Sequence, residues 1–286
     1  MPYPGIRGPK PMGLYDPEAV RTFYNAYGER EWRRFEAGAG LVQHHVITRF
    51  LEDHVPAGAR VLDAGCGPGR FALQCLARGC RLTLVDLSDA MLDEARQRIR
   101  EAGLDGTHRC SYLDLEALPP GGFDAALCLG GSLNYMPERI PEALAALRRL
   151  LRPGGILVGS VMNTLGTFHL LLAQGRASAD DALDAAGVRL VWDRGALEVS
   201  GRWISEHRAR MFERAGWTRA LEAAAFETVA ESASECLLAL PTERLDALRA
   251  DPATWAALLR IEVEACRRAP EAGAHLLFAA RRPGGR

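Results

Sequence analysis

The stretch VLDAGCGPGR, residues 61–70, constrains this chain more than any other. A short apolar run that ends in an acidic residue and turns at once through alternate glycines reads as a buried strand feeding a helix start. Glycine at such a turn lets a ligand approach the main chain and leaves N–H groups free at the opening of the helix. The pattern is DxGxGxG, carried by Asp63, Gly65, Gly67 and Gly69. A dinucleotide turn of the form GxGxxG needs its third glycine where this chain has Arg70, and a Walker turn needs a GKS or GKT that does not follow. Both departures weaken a nicotinamide, flavin or phosphate-cradling reading.

The chain around this turn alternates strands and helices. From Arg60 to Met162 the apolar runs RVLDAG, LTLVDL, the stretch near HRCSYLDL, FDAALCLGG and GILVGSVM are separated by helix-length segments, the rhythm of a parallel α/β sheet. Ser88 can cap a helix whose buried stripe is Leu92, Ala95 and Ile99, with Glu94 and Arg98 paired one turn apart and Gly103 as its stop. Leu144, Leu147 and Leu151 mark a second helix, ended at RPGG.

Residues 1–16 read as a loose arm, and Pro17 to Val55 as helical, with Val20, Phe23, Tyr24 and Tyr27 on one face. After Asn163 come a helical piece from Leu165 to Ala173, an irregular Ala/Asp/Gly stretch, and the possible strands VRLVW and ALEVS. HRARMFERAGW looks helical, TRALEAAAFE is ambiguous, ERLDALRA and TWAALLRIEVEACRRA read as helices, and HLLFAAR as a last strand. The expected units are an arm with covering helices at 1–55, a core at 56–163, a lid or cap at 164–206, and a C-terminal completion of the sheet at 207–286.

Composition narrows the partners. A formal net charge of -1, from 35 basic and 36 acidic side chains, offers no general attraction to polyanions, which disfavours nucleic acid. The 7 cysteines are scattered and form no CxxC pair, so neither a disulfide framework nor a zinc site is expected, and no metal is assigned. The opening MPYPGIRGPKPMGLY lacks the apolar core of a signal peptide, and no later run is long enough to span a bilayer. No membrane association and a cytoplasmic location are the expectation. Oligomeric state is not readable.

With these motifs in order, the chain resembles the class I S-adenosylmethionine-dependent methyltransferases, of the small-molecule type. VLDAGCGPGR has the form of that family's first motif, LTLVDLS of its second, YLDLEALP of its third, FDAALCLGGSLNY of its fourth-strand motif, and LRRLLRPGGILVGSV of the helix, turn and strand that follow. The resemblance implies a doubly wound, Rossmann-like seven-stranded sheet with an antiparallel last strand, a part that HLLFAAR can fill. It implies S-adenosyl-L-methionine as cofactor and S-adenosyl-L-homocysteine as product. Asp86 stands where the family binds the ribose, with Leu87 beside it; Asp114 stands where the adenine amino group is met, and Leu115 would offer its amide to the ring. Asp63, Gly65, Gly67, Gly69, Leu129 and Gly130 complete the expected cofactor contacts, and Tyr24 is the first choice to cover the methionine end.

Methyl transfer from a sulfonium is an in-line displacement, so holding the reactants on one axis matters most. The cation also favours aromatic faces, offered by Tyr24, Tyr27 and Trp32. A hydroxyl acceptor calls for a base near neutrality, and His45, His169 and His207 are the candidates, with His44 also weighed and His207 leading. Asn134 and Tyr135 sit where an acceptor could be met, Phe168, Trp192 and Trp203 could wall it, and GSLNYMP lacks the paired prolines of nucleobase amino-methyltransferases. The expected reaction is transfer of methyl to oxygen or nitrogen of a small molecule. Methylation of a peptide or protein terminus, a cofactor-binding protein without transfer, and an NAD-dependent oxidoreductase using Asp86 on its ribose are the alternatives.

Overall fold

The computed structural model describes residues 15–103, 112–173, 198–199 and 209–284. The N-terminal region is helical: α1 spans Pro17–Tyr27, α2 Arg30–Arg33 and α3 Gly38–His54. Asp16 starts α1 by accepting from the amides of Glu18 and Ala19, with Pro17 in the first turn, where its missing N–H costs nothing.

Four parallel strands follow, β1 Arg60–Ala64, β2 Arg81–Val85, β3 Phe123–Cys128 and β4 Leu151–Met162. Helices α4 Arg70–Ala77, α5 Asp89–Glu101 and α6 Ile140–Leu150 lie between them. Ser88 caps α5, Leu92, Ala95 and Ile99 are buried, and Glu94 meets Arg98 at 3.6 Å, all as the sequence indicates. Leu151 belongs to β4 rather than to the preceding helix, pairing with Phe123 before the register shifts through the Pro-Gly-Gly turn.

Beyond β4 come α7 Thr164–Ala173 and a two-stranded ribbon, β5 Glu198–Val199 against β6 Ala209–Arg210. Then follow α8 Arg214–Ala223, β7 Glu227–Ser234, α9 Thr242–Arg249, α10 Pro252–Arg268 and β8 His275–Arg281. Among the described residues the main sheet has six strands in the order β2-β1-β3-β4-β8-β7, with β8 antiparallel to both neighbours. The antiparallel last strand is therefore as expected, whereas the seven-strand count is approximate. In the stretch expected to hold a third strand, the part that is described, Tyr112–Ala117, is a 3-10 helix, and residues 104–111 lie outside the described residues. In the stretch HRARMFERAGW, expected to be helical, His207 and Arg208 lie outside the described residues, Ala209–Arg210 form β6, and the helix begins only at Arg214. VRLVW falls outside the described residues.

Strand alternation decides the layering. Val61, Leu84, Leu127 and Val158 face one core, shared with α3, α4 and α5; Leu62, Val85, Ala126 and Leu157 face the other, shared with α6 and α8. Both faces of the strands are apolar, so helices must cover both. Residues 227–281 extend the same sheet that residues 60–162 begin.

Candidate functional site

The strand order places a crevice where ligands of open α/β sheets collect. The chain leaves β1 toward β2 on one side and crosses to β3 on the other, so the loops at the carboxyl ends of β1 and β3 diverge. A crevice of about 580 Å³, counting its open mouth, lies there, within the range of small-molecule sites.

One wall is the glycine turn. Gly65 and Cys66 donate their amides to the Val85 carbonyl at 2.7 and 3.0 Å, which binds the turn to the end of β2. Gly65 and Gly67 line the crevice at φ of 82° and 52°. Gly69 differs: at φ 84° it opens α4, and a Cβ there would sit 3.1 Å from the Ala95 Cβ, so it serves the contact between α4 and α5. Arg70 crosses back to the N-terminal helices, donating to the Trp32 carbonyl at 2.7 Å.

Asp86 follows β2 and lines the crevice beside Leu87. Its Oδ2 accepts from the Gly67 amide at 2.8 Å and its Oδ1 from the Ser88 amide at 2.9 Å. Burial pushes its pKa up to about 6 against the pull of these amides. Asp63 lies beneath, buried and outside the lining, its carboxyl pushed up to about 7 by burial and then by the Asp86 charge.

Helices α1 and α2 form the roof, to which Tyr15, Val20, Tyr24 and Glu31 contribute. Asn25 ties α1 to the start of α5 by accepting from the Ser88 hydroxyl at 2.6 Å. The far wall is Leu129, Gly130, Ser132, Tyr135 and Met136. The hydroxyls of Tyr24 and Tyr135 meet across the crevice at 2.9 Å, and burial raises both phenols above their ordinary range. Arg34 holds Glu31 through Nε and reaches Gln43 at 2.9 Å through Nη1.

The crevice thus assembles Tyr24, Gly65, Gly67, Asp86, Leu87, Leu129, Gly130 and Tyr135 from the sequence-derived set. It leaves out Asp63, Gly69 and Leu115; the last is buried in the core, its carbonyl accepting from Arg149 at 2.7 Å. The Asp114 side chain, His207, Trp192 and Trp203 lie outside the described residues.

Among the described residues no histidine lines the crevice. His45 sits half-buried on α3 beside Arg49 and Glu52, with burial lowering its pKa, and His169 is exposed on α7. His44 stacks on Phe71 and meets Gln74 at 2.8 Å, and burial takes it down to about 4. Trp32 presents no free face to a cation, because Arg70 and Arg98 cover its ring at 3.6 and 3.9 Å. Asn134 is fully buried, accepting from the Met162 amide and donating to the Arg210 carbonyl, so it braces β4 against β6.

Tyr15, Glu31, Ser132 and Met136 escaped the sequence reading, as did His275, which packs near Gly131 with its pKa taken down to about 3 by burial. An acidic residue between two aromatic-rich turns of helix was the signal available for Glu31. Among the described residues, Cys236, Glu262 and Cys266 group as metal ligands do. The Glu262 carboxylate there already accepts from the amides of Cys236, Leu237 and Leu238 and from the Cys266 thiol, so it closes a turn. No helix among the described residues is long and apolar enough to cross a membrane.

A doubly wound sheet with a glycine turn and an acidic residue at its switch point is the arrangement at which open α/β folds bind ligands. Residues 61–155 match a family model described as a methyltransferase domain. The ubiquinone biosynthesis O-methyltransferase of Chromobacterium violaceum is 36% identical over 129 residues, 44% of this chain and 54% of the relative. The chain spans about half the length of such curated relatives. In fold it is similar to the 1,6-didemethyltoxoflavin-N1-methyltransferase of Burkholderia thailandensis, solved with 1,6-didemethyltoxoflavin and S-adenosylhomocysteine: TM-score 0.59, 20% identity, covering 96% of this chain and 94% of that one. The cyclase SpnF shares the fold at a TM-score of 0.52 and 21% identity, covering 84% of this chain and 81% of that one.

Proposed function

We propose that this protein is a methyltransferase that takes its methyl group from S-adenosyl-L-methionine and delivers it to an oxygen or nitrogen of a small molecule. The observation that carries this reading is the joint presence of Gly65, Gly67 and Asp86 on one wall of the switch-point crevice. The crevice suits the cofactor on its own chemistry: bare main chain at the two glycines permits close approach, and Asp86 supplies acceptors for a vicinal diol.

Bound there, S-adenosylmethionine supplies a methyl carbon activated by its sulfonium. The protein's part is positioning and exclusion of water. Tyr24 and Tyr135 line the crevice with joined hydroxyls. Both phenols are raised by burial, so at neutral pH they act as hydrogen-bond donors and ring faces rather than as bases. Glu31 brings a carboxylate, ion-paired with Arg34, to the lining.

The same fold in the cyclase SpnF keeps open the reading of a cofactor-binding protein with a different reaction or none. Calorimetric titration decides the first question. S-adenosylhomocysteine is expected to bind and NAD is not, and Asp86→Ala should lose most of the affinity. Binding that is unchanged in that variant removes the ribose assignment. Transfer of labelled methyl to a panel of small phenols, enols and amines then separates a transferase from a binding protein.

A further inference from the structure

The roof of the crevice holds a polar atom that nothing in the fold uses. Tyr15 lines the crevice, and its ring packs against the core cluster that contains Val85, Leu115 and Met136. Its hydroxyl is buried and has no hydrogen-bond partner among the described residues. The hydroxyls of Tyr24 and Tyr135, the other two crevice tyrosines, satisfy each other. An unmet buried hydroxyl is a net cost to the fold, and such atoms in a binding crevice point to a ligand group that meets them.

The position is prepared rather than incidental. Asp16 caps α1 directly after Tyr15, the Tyr15 amide donates to Glu138, and Asn25 clamps the other end of α1 to Ser88 and Ala90. Tyr15 and Asp86 line the same crevice, and the phenol lies near enough to Asp86 to feel its charge. The phenol is pushed up to about 12 by burial, with Arg139 opposing and the Asp86 charge adding to the rise. It is a donor at any physiological pH.

Asp86 and Tyr15 are complementary. The carboxylate can only accept, and its two oxygens already take the amides of Gly67 and Ser88, leaving further lone pairs for the ligand. A ligand hydroxyl that donates to Asp86 leaves its own oxygen in need of a donor. Tyr15 is the donor on that wall. We infer that the Tyr15 hydroxyl donates to a ribose hydroxyl of the adenosyl cofactor while that same hydroxyl donates to Asp86, so that the segment ahead of α1 reads the sugar. This rests on the reading of the crevice as an S-adenosylmethionine site and adds a sugar-binding residue to it.

The test is a titration of S-adenosylhomocysteine and of its 2′-deoxy and 3′-deoxy analogues into the full-length protein and its Tyr15→Phe variant, with melting temperatures measured alongside. The variant should melt no lower than the parent, because the hydroxyl it lacks has no partner in the fold. Its Kd for S-adenosylhomocysteine should rise about 3- to 10-fold. The gap between parent and variant should close for whichever deoxy analogue lacks the contacted hydroxyl. Equal affinity of parent and variant overturns the inference, as does an unchanged gap on both analogues or a lowered melting temperature. Failure of the parent to bind S-adenosylhomocysteine overturns the cofactor reading itself, whereas parental binding with an indifferent variant removes only the role of Tyr15.

Discussion

Gly67 and Gly69 look equivalent in the motif, and the structure separates them by what a methyl group would meet. At Gly69 the left-handed φ of 84° costs an alanine about 1–2 kcal/mol. The new Cβ would lie 3.1 Å from the Ala95 Cβ and 3.3 Å from its Cα, and crowding of that kind between packed helices adds about 1–3 kcal/mol. Gly69→Ala should therefore lose about 2–5 kcal/mol of stability, a fall in Tm of roughly 5–15 °C for a chain of this size. At Gly67 the φ of 52° carries the same conformational cost, but the nearest atom to a Cβ is the Glu31 Cγ at 3.9 Å. Gly67→Ala should lose only about 1–2 kcal/mol. Its methyl group, however, projects from a residue that lines the crevice. Denaturant melts and calorimetric titration of S-adenosylhomocysteine on both variants make the comparison. Gly69→Ala should bind within about twofold of the parent while folded, and Gly67→Ala should bind about tenfold more weakly, the equivalent of roughly 1.4 kcal/mol. A Gly69→Ala protein of parental stability that loses affinity, or a Gly67→Ala protein that is unstable yet binds normally, would refute the division of roles.

The pH dependence of binding follows from Asp86. Its pKa is raised to about 6 in the fold, from an ordinary value near 3.8, so this side chain favours the folded state most at low pH and that contribution is lost as pH rises through 6. Accepting from a ribose requires the anion. Affinity for S-adenosylhomocysteine should therefore climb by up to about tenfold per pH unit below 6 and level off above it, and a flat profile between pH 5 and 7.5 contradicts the assignment. Far from the crevice, Glu262→Gln keeps the shape of the side chain but sets an NH₂ donor against main-chain amides of Cys236, Leu237 and Leu238, which donate to the carboxylate oxygens in the parent. That variant should unfold about 2–4 kcal/mol more easily in urea, and a loss below about 1 kcal/mol would show that the turn closes without the carboxylate.

Local chemistry was readable wherever neighbours in sequence are neighbours in space. The Ser88 cap, the Leu92, Ala95 and Ile99 stripe and the turn after Asp63 involve contacts within a few residues, and all are present. Ala209 and Arg210 suit a helix by propensity, whereas pairing with Glu198–Val199 draws them into a strand. The pairing partner lies outside any local window.

From the order of its motifs the sequence alone determined the α/β layering, the resemblance to a methyltransferase domain, and the crevice wall built by Gly65, Gly67 and Asp86. Tertiary structure decided which side chains close that crevice. Tyr24 meets Tyr135 from 111 residues away, Trp32 is capped by two arginines from different helices, and the candidate histidines that are described stand off the lining. A strand and its turn follow from periodicity and backbone preference, but the roof depends on how the N-terminal helices dock. That docking is a sum of many small contacts between distant segments, and no short stretch of the chain encodes it.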